Sequence, residues 1–515
     1  MEEISINRLR SLVDIQQIKI SPITVLVGKN SSGKSTFLRT FPLFKQSIAR
    51  KTSEPILWFD EYGVDFGDFE TAKNNVVKND TIEFGFTFSI KKNKLIFRRS
   101  GFDFDDKDSI NVELGVKKNY LADLLVCMAD QKIKLEFKDK GQISKFTVND
   151  ESMITNDLRW DSNPFGLIPE IADERFITYN SQEFFRYKNQ GFLPYKSQLV
   201  KLFLKKAHSS TKEETIRRAI ANIVFGNKRN MYNAMIKSNF PNKLKENLKS
   251  LDIETSEFKQ INNLLIAQEI NHILDICNKL ISKSIQSVKY MKPVRANAER
   301  YYRIQGLSVD EIDPSGDNIP MFLNNLTDSE KDKFEKWTQE RFNLKFSISK
   351  KQGHVSMVMK DENTNQSYNL ADTGYGYSQI LPIIVLLWQA QRVKNRVRSY
   401  SLYRTVDSLI VIEQPELHLH PAFQAKLVDL FARIVQEASS HNKEIRFIIE
   451  THSETMVNRL GHLIAREFLS KDDVNVLLFD KVENYKTEIE SMEFTENGAL
   501  KNWPIGFFEP DAPRR

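Results

Sequence analysis

The sequence predicts an α/β fold in which a mixed antiparallel lobe and a parallel-sheet lobe are separated along the chain by a helical insertion. Three patterns point to it. Residues 82–88 (Ile-Glu-Phe-Gly-Phe-Thr-Phe) and 133–137 (Ile-Lys-Leu-Glu-Phe) alternate apolar and other side chains, as half-buried antiparallel strands do. Residues 23–27 and 408–412 are instead continuous β-branched, apolar runs that suit strands covered on both faces. From roughly 182 to 289 the apolar residues recur at helical spacing (Leu264, Leu265, Ile270, Ile273, Leu274, Ile281), with little glycine or proline.

Strand character returns at 344–349 and 355–359. A glycine loop, a long apolar helix from about Ile380, the strand at 408–412, a second helix and a final strand pair follow. These patterns divide the chain into an N-terminal lobe (1–180), the helical insertion (181–289), a C-terminal lobe (290–480) and a small C-terminal module (481–515). A length of 515 residues accommodates several such units.

Composition narrows the class. A 40% hydrophobic and 28% charged chain is ordinary for a soluble globular protein. The longest apolar run, at 380–388, is about half a membrane span, so no membrane association is expected. The opening Met-Glu-Glu carries no secretory pattern, and a cytoplasmic location is expected. Two distant cysteines, Cys127 and Cys277, make neither a disulfide framework nor a metal motif. Charge is uneven: residues 196–250 hold thirteen Lys or Arg against three Glu, while the whole chain is only +6. That stretch reads either as a nucleic-acid footprint or as the solvated face of lysine-rich helices.

The sharpest chemical signal is Gly28-Lys-Asn-Ser-Ser-Gly-Lys-Ser-Thr36, two glycines with four residues between them followed by Lys and Ser. A buried strand precedes it and a helix can start near Thr36. Its glycines free backbone N–H groups to turn toward phosphates, with the helix N-terminus behind them. Gly28, Asn30, Ser31, Ser32, Gly33, Lys34, Ser35 and Thr36 are therefore expected to hold ATP. Lys34 would reach the terminal phosphates, and the Ser35 hydroxyl would ligate Mg²⁺. The second signal is residues 408–421, an apolar strand ending in Glu413-Gln-Pro-Glu-Leu-His-Leu-His-Pro421. An acid at the C-terminal tip of a buried strand sits where ligands bind in open α/β sheets, and Glu413 is expected to hold Mg²⁺. Glu416, His418 and His420 also admit a zinc-site reading, since alternate residues of an extended chain share one side.

With Asn30 in its P-loop and the Glu-x-Pro-Glu-x-His-x-His-Pro string, the sequence resembles ABC/AAA-type ATPases related to the overcoming-lysogenisation-defect family, with SMC and RecF proteins as more distant relatives. The resemblance implies an ABC/SMC-like head in which ATP is held between two copies of the chain. Residues 371–379 (Ala-Asp-Thr-Gly-Tyr-Gly-Tyr-Ser-Gln) look like the family's signature segment, so Thr373, Gly374 and Gly376 would meet ATP bound by the partner copy. Residues 448–453 (Ile-Ile-Glu-Thr-His-Ser) look like its switch segment, with His452 near the γ-phosphate. Residues 64–70 occupy the Q-loop position without the glutamine, 290–296 resemble the segment re-entering the head, and 497–508 resemble a C-terminal module of some relatives. In many ABC ATPases a glutamate follows the strand-end acid and polarises the attacking water; here that residue is Gln414. An amide orients water but cannot take its proton, which removes assistance typically worth roughly 10²–10⁴-fold. Slow hydrolysis follows, with Glu416 and His452 as substitutes beside Glu413 and Gln414.

The resemblance also implies a regulatory subunit in bacterial anti-phage defence, partnered by a nuclease or another effector protein. A Toprim nuclease domain is not expected in the 63 residues after His452, which lack an Asp-x-Asp cluster. The alternative is a RecF- or SMC-like DNA-binding maintenance ATPase gripping phosphates with Lys201, Lys205, Lys206, Arg217, Arg218, Lys228 and Arg229. A transporter ATPase fits the helical insertion and the Glu-Gln-Pro-Glu string least.

Overall fold

The computed structural model describes residues 1–154, 158–161, 163, 166–173, 193–306, 308–361, 366–392, 408–441 and 443–504. Two sheets dominate it. The first is eight-stranded and antiparallel, running from Glu151–Ser152 through Ile143–Val148, Gln131–Phe137, Leu121–Met128, Ser109–Val116, Ile82–Ser89 and Glu3–Asn7 to Ile15–Lys19. The alternation at 82–88 has the predicted consequence, since Ile82, Phe84, Phe86 and Phe88 are all buried.

The second sheet has six strands: β1 (Ile23–Gly28), β2 (Val288–Met291), β3 (Ser408–Glu413), β4 (Ile445–Glu450), β5 (Val474–Glu483) and β6 (Lys486–Met492). Their spatial order is β2-β3-β4-β1-β5-β6, parallel throughout except for the β5–β6 hairpin. The expected mixed α/β class with antiparallel and parallel sheets is therefore what the chain forms. The parallel sheet is not the property of the C-terminal lobe alone, because β1 lies near its centre. Residue 480 falls within β5, so the hairpin that follows is the sheet's own edge.

Side chains alternate across each parallel strand, and the sheet divides two cores. Leu26, Val411 and Ile448 face one; Val25, Val27, Ile410, Ile412, Phe447 and Ile449 face the other. The first core is filled by α1 (Lys34–Ala49), sandwiched against the antiparallel sheet, with Phe44 ring centroids 4.9 Å from Phe84 and 5.2 Å from Phe86. The described part of the helical stretch belongs to this same core. In it, α2 (Ser256–Gln268) buries Ile261 and Ile266, and α3 (Ile270–Gln286) buries Ile273, Leu280 and Ile281. It thus packs on the sheet and on α1; residues 182–192 of the expected helix lie outside the described residues. The second core holds α4 (Tyr375–Gln391), α5 (Pro421–Ser440) and α6 (Glu454–Ala465). Among the described residues no helix is long and apolar enough to cross a membrane.

Candidate nucleotide site

β1 delivers the chain into the glycine loop. Gly28 has φ +153°, and a Cβ there would lie 2.4 Å from the Phe479 carbonyl oxygen, so only glycine fits between β1 and β5. Ser31 and Gly33 also adopt positive φ, 60° and 95°. No side chain caps α1, whose N-cap is Gly33, so its first N–H groups are left for a ligand. Lys34 is buried and folds back over the loop, donating to the carbonyls of Gly28 at 2.9 Å and Lys29 at 2.7 Å. Burial lowers its pKa.

Glu413 and Glu450 end adjacent strands in register, and Leu26 of β1 is the next partner across. Their surroundings differ sharply. Glu413 is only 2% exposed and is gripped by Arg39 of α1, whose Nε and Nη2 donate at 2.7 and 2.8 Å, and by the Tyr290 hydroxyl at 2.5 Å. Glu450 instead accepts the Ser35 hydroxyl, with Oε1 at 2.9 Å and Oε2 at 2.8 Å. Burial, with the nearby Glu413 charge second, pushes its carboxyl up to about 7. The structure does not bring the expected acid, Glu413, to Ser35; it brings Glu450.

A cleft of about 770 Å³ opens over the loop, within the size range of small-ligand sites. Its lining contains Asn30, Ser31, Ser32, Gly33, Lys34, Ser35 and Thr36 together with Gln414, Glu450 and His452. Arg10, Lys73, Val76, Lys481 and Tyr485 also line it. Gln414 has φ 43°, and its N–H donates to the Glu450 carbonyl at 2.8 Å. Burial, then the Lys34 charge, lowers the His452 pKa and keeps the imidazole neutral at pH 7. Glu416 stands beside it: Oε1 accepts the His452 backbone N–H at 2.7 Å while Oε2 is buried without a hydrogen bond. Burial raises the Glu416 pKa.

Behind the acids lies Arg295, 2% exposed, whose Nη2 donates to the Glu413 carbonyl at 2.8 Å while Nε and Nη1 have no hydrogen-bond partner. Its backbone N–H and C=O are clasped by the Gln379 side chain of α4, both at 3.1 Å. The N-terminus of α4 is therefore tied to the acid strand. Thr373, Gly374 and Gly376 are not in the cleft. They lie at that N-terminus, where Gly376 packs against the His418 carbonyl and Tyr375 meets the His418 ring edge-on at 4.6 Å. His418, His420 and Glu416 have separate partners, His420 Nδ1 accepting from the Ala422 N–H at 3.2 Å. No three-residue metal cluster occurs among the described residues. In the 64–70 segment Asp68 caps the short helix Phe69–Ala72, which carries Lys73 into the cleft wall.

A Mg²⁺ ion accompanying a nucleotide needs hard oxygen donors, and it supplies charge neutralisation to the phosphates. The residues present fit such an ion: the Ser35 hydroxyl and a buried carboxylate converge on the cleft beside Lys34.

A glycine loop between a buried strand and an uncapped helix, facing acid-tipped parallel strands, defines a P-loop ATPase core. Residues 1–457 match the AAA ATPase domain family, and the chain belongs to that family. No curated protein matches the sequence. Among solved structures the chain is similar to the SMC head domain from Thermotoga maritima (9% identity, TM-score 0.34, covering 95% of this chain and 98% of that one). It is also similar to the recombination mediator protein RecF with ATPrS in the RecFOR pathway (11% identity, TM-score 0.25, covering 95% and 97%).

Sequence reasoning did not single out Glu450, Arg39, Arg295 or the Arg10–Lys73–Tyr485 wall. Glu450 carried a signal: it lies two residues before the histidine of a segment already noted.

Proposed function

We propose that this AAA-family ATPase binds ATP with Mg²⁺ in the cleft over residues 28–36, hydrolyses it slowly, and works as the nucleotide-operated regulatory subunit of a larger complex. The observation that carries the reading is the pairing of an intact phosphate loop with Gln414, an amide, in the same cleft. Lys34, released from the Gly28 and Lys29 carbonyls, meets the terminal phosphates, while the backbone N–H groups at the start of α1 hold the others. Ser35 and a carboxylate of the strand tips take the metal. Gln414 orients water but cannot take its proton, which leaves the neutral imidazole of His452, its basicity lowered by burial, as the weaker acceptor.

The exposed N-terminus of α4, with Thr373, Gly374 and Gly376, contacts nucleotide on a second copy, so ATP closes a dimer. The Gln379–Arg295 clasp carries that closure to the acid strand. The output belongs to an effector partner such as a nuclease, in bacterial anti-phage defence. DNA binding through residues 196–250 is the weaker reading. Three of its cations are already engaged, Arg217 with Glu213, Arg218 with Glu214 and Lys206 with Glu257. Affinity purification from the native host with mass spectrometry tests the proposal. Stoichiometric recovery of an effector is expected, and recovery of the chain alone or with nuclease-sensitive DNA would overturn the regulatory-subunit reading.

A further inference from the structure

We infer that Glu450, and not the strand-end acid Glu413, is the carboxylate that serves the metal in this cleft, Glu413 having become part of an internal ion pair. The assignment rests on the ATP–Mg²⁺ reading above and divides labour between two acids that the sequence alone does not distinguish.

Topology comes first. β4 lies between β3 and β1, and neighbouring strands are spaced about 4.8 Å apart. Glu450 therefore ends the strand next to the phosphate loop, whereas Glu413 is one strand further away. Contacts say the same. Both oxygens of Glu450 lie within hydrogen-bond distance of the Ser35 hydroxyl, the loop's own hard donor, and Glu450 lines the cleft. Glu413 does not line the cleft; its two oxygens are taken by the parallel donors of Arg39, and the Tyr290 hydroxyl adds a third bond. A bidentate guanidinium–carboxylate pair with matched geometry is among the strongest side-chain contacts, and it neutralises the acid that it holds.

The position of Arg39 reinforces this. It stands four residues beyond Ser35 on α1, one helical turn along the same face, so α1 presents a hydroxyl to one acid and a guanidinium to the other. A metal taken up at Glu413 would have to displace a cation already seated there, and would leave Arg39 and Tyr290 without their partner. A metal taken up at Glu450 displaces only the proton of the Ser35 hydroxyl bond, which turns away as its oxygen becomes a ligand.

The experiment uses the full chain. Binding of mant-ATP is titrated without metal, and Mn²⁺ binding is then followed by EPR in the presence of saturating AMPPNP. In Glu450→Gln, metal-free mant-ATP binding is expected to persist while Mn²⁺ affinity falls at least 10–100-fold, the range for disturbing a metal's immediate surroundings. Glu413→Gln is expected to shift Mn²⁺ affinity less than about threefold on the same scale and to lower the melting temperature. Because breaking a buried pair can prevent folding, the double variant Arg39→Gln/Glu413→Gln, which removes both charges, is measured alongside and is expected to bind Mn²⁺ like the wild type. Equal losses in the two single variants, or a larger loss in Glu413→Gln, would overturn the assignment while leaving ATP binding intact. If the wild type takes up no mant-ATP, the nucleotide reading itself fails and this assignment with it.

Discussion

Replacing Gln414 with glutamate puts a carboxylate where the cleft has an amide, and its effect follows from what surrounds the position. The backbone of residue 414 is pinned by the Glu450 carbonyl at 2.8 Å, so the new side chain starts from the same place and faces the same space. It arrives beside Glu450, whose own carboxyl is already pushed up to about 7 by burial and by Glu413. A third acid in that field is raised in the same direction, toward neutrality, where a general base works best. General-base assistance is worth roughly 10²–10⁴-fold, or about 2.7–5.4 kcal/mol of barrier at 1.36 kcal/mol per decade. Because residue 414 is only partly buried, we expect a gain near 10²-fold. Phosphate release measured under single-turnover conditions reads it directly. The rate should climb with rising pH as the new base loses its proton, since only the charged form accepts one. A rate within about threefold of wild type at every pH, with mant-ATP affinity unchanged, would refute the claim that the missing base limits hydrolysis.

Two glycines make a matched pair for calorimetry. A Cβ at Gly461 would fall 2.2 Å from the Gly498 carbonyl, so Gly461→Ala should cost about 1–3 kcal/mol by prising residues 494–500 off α6. A Cβ at Gly374 meets nothing within 4 Å, so Gly374→Ala should melt like the wild type; loss of ATP-dependent association, read by light scattering, would then locate the dimer contact at α4. Glu444 and Glu2 surround Arg446 at the start of β4, and the guanidinium holds the Glu444 carboxyl down to about 2 and Glu2 below its usual value. Depressed carboxylates stabilise fully above their unfolded values near 4.3 and lose that contribution as pH falls toward 2. The urea midpoint should drop across that window, and Arg446→Met should flatten the drop. Arg295→Met strips the positive charge from beneath Glu416 and Glu413, and chemical denaturation should show a loss at the lower end of about 3–5 kcal/mol, since two of its nitrogens make no hydrogen bond. Cys277 is buried with its thiol pushed up to about 12, so iodoacetamide should label it only after unfolding.

What could be read in advance was whatever is written contiguously. The phosphate loop, the strand ahead of it and the apolar run into Glu413 each encode their chemistry within a dozen neighbouring residues, and all form the elements expected. The two acids could not be told apart that way. Which of them meets Ser35 depends on strand order and on Arg39 finding Glu413 across 374 residues. Another part of the cleft lining is similar, drawn from Arg10, Lys73 and Tyr485, three segments that only the fold assembles. Helical periodicity at 264–281 gave the right elements, but it held no hint that those helices would close the same core as α1.

The strand order of the parallel sheet also sets a timetable for biosynthesis. β1 ends at residue 28, yet both of its hydrogen-bonded neighbours, β4 and β5, begin only at residues 445 and 474. At 5–20 residues per second the ribosome needs roughly 20–85 s to cover the interval. Throughout it the apolar run at 23–27 has no edge to join, while the antiparallel sheet, made from residues 3–152, can already close. The nascent chain thus carries an unpaired hydrophobic strand and an unformed phosphate loop until residues 445–483 have been made. Such a segment suits chaperone capture, and truncated products of this gene would be unable to bind nucleotide and prone to aggregate.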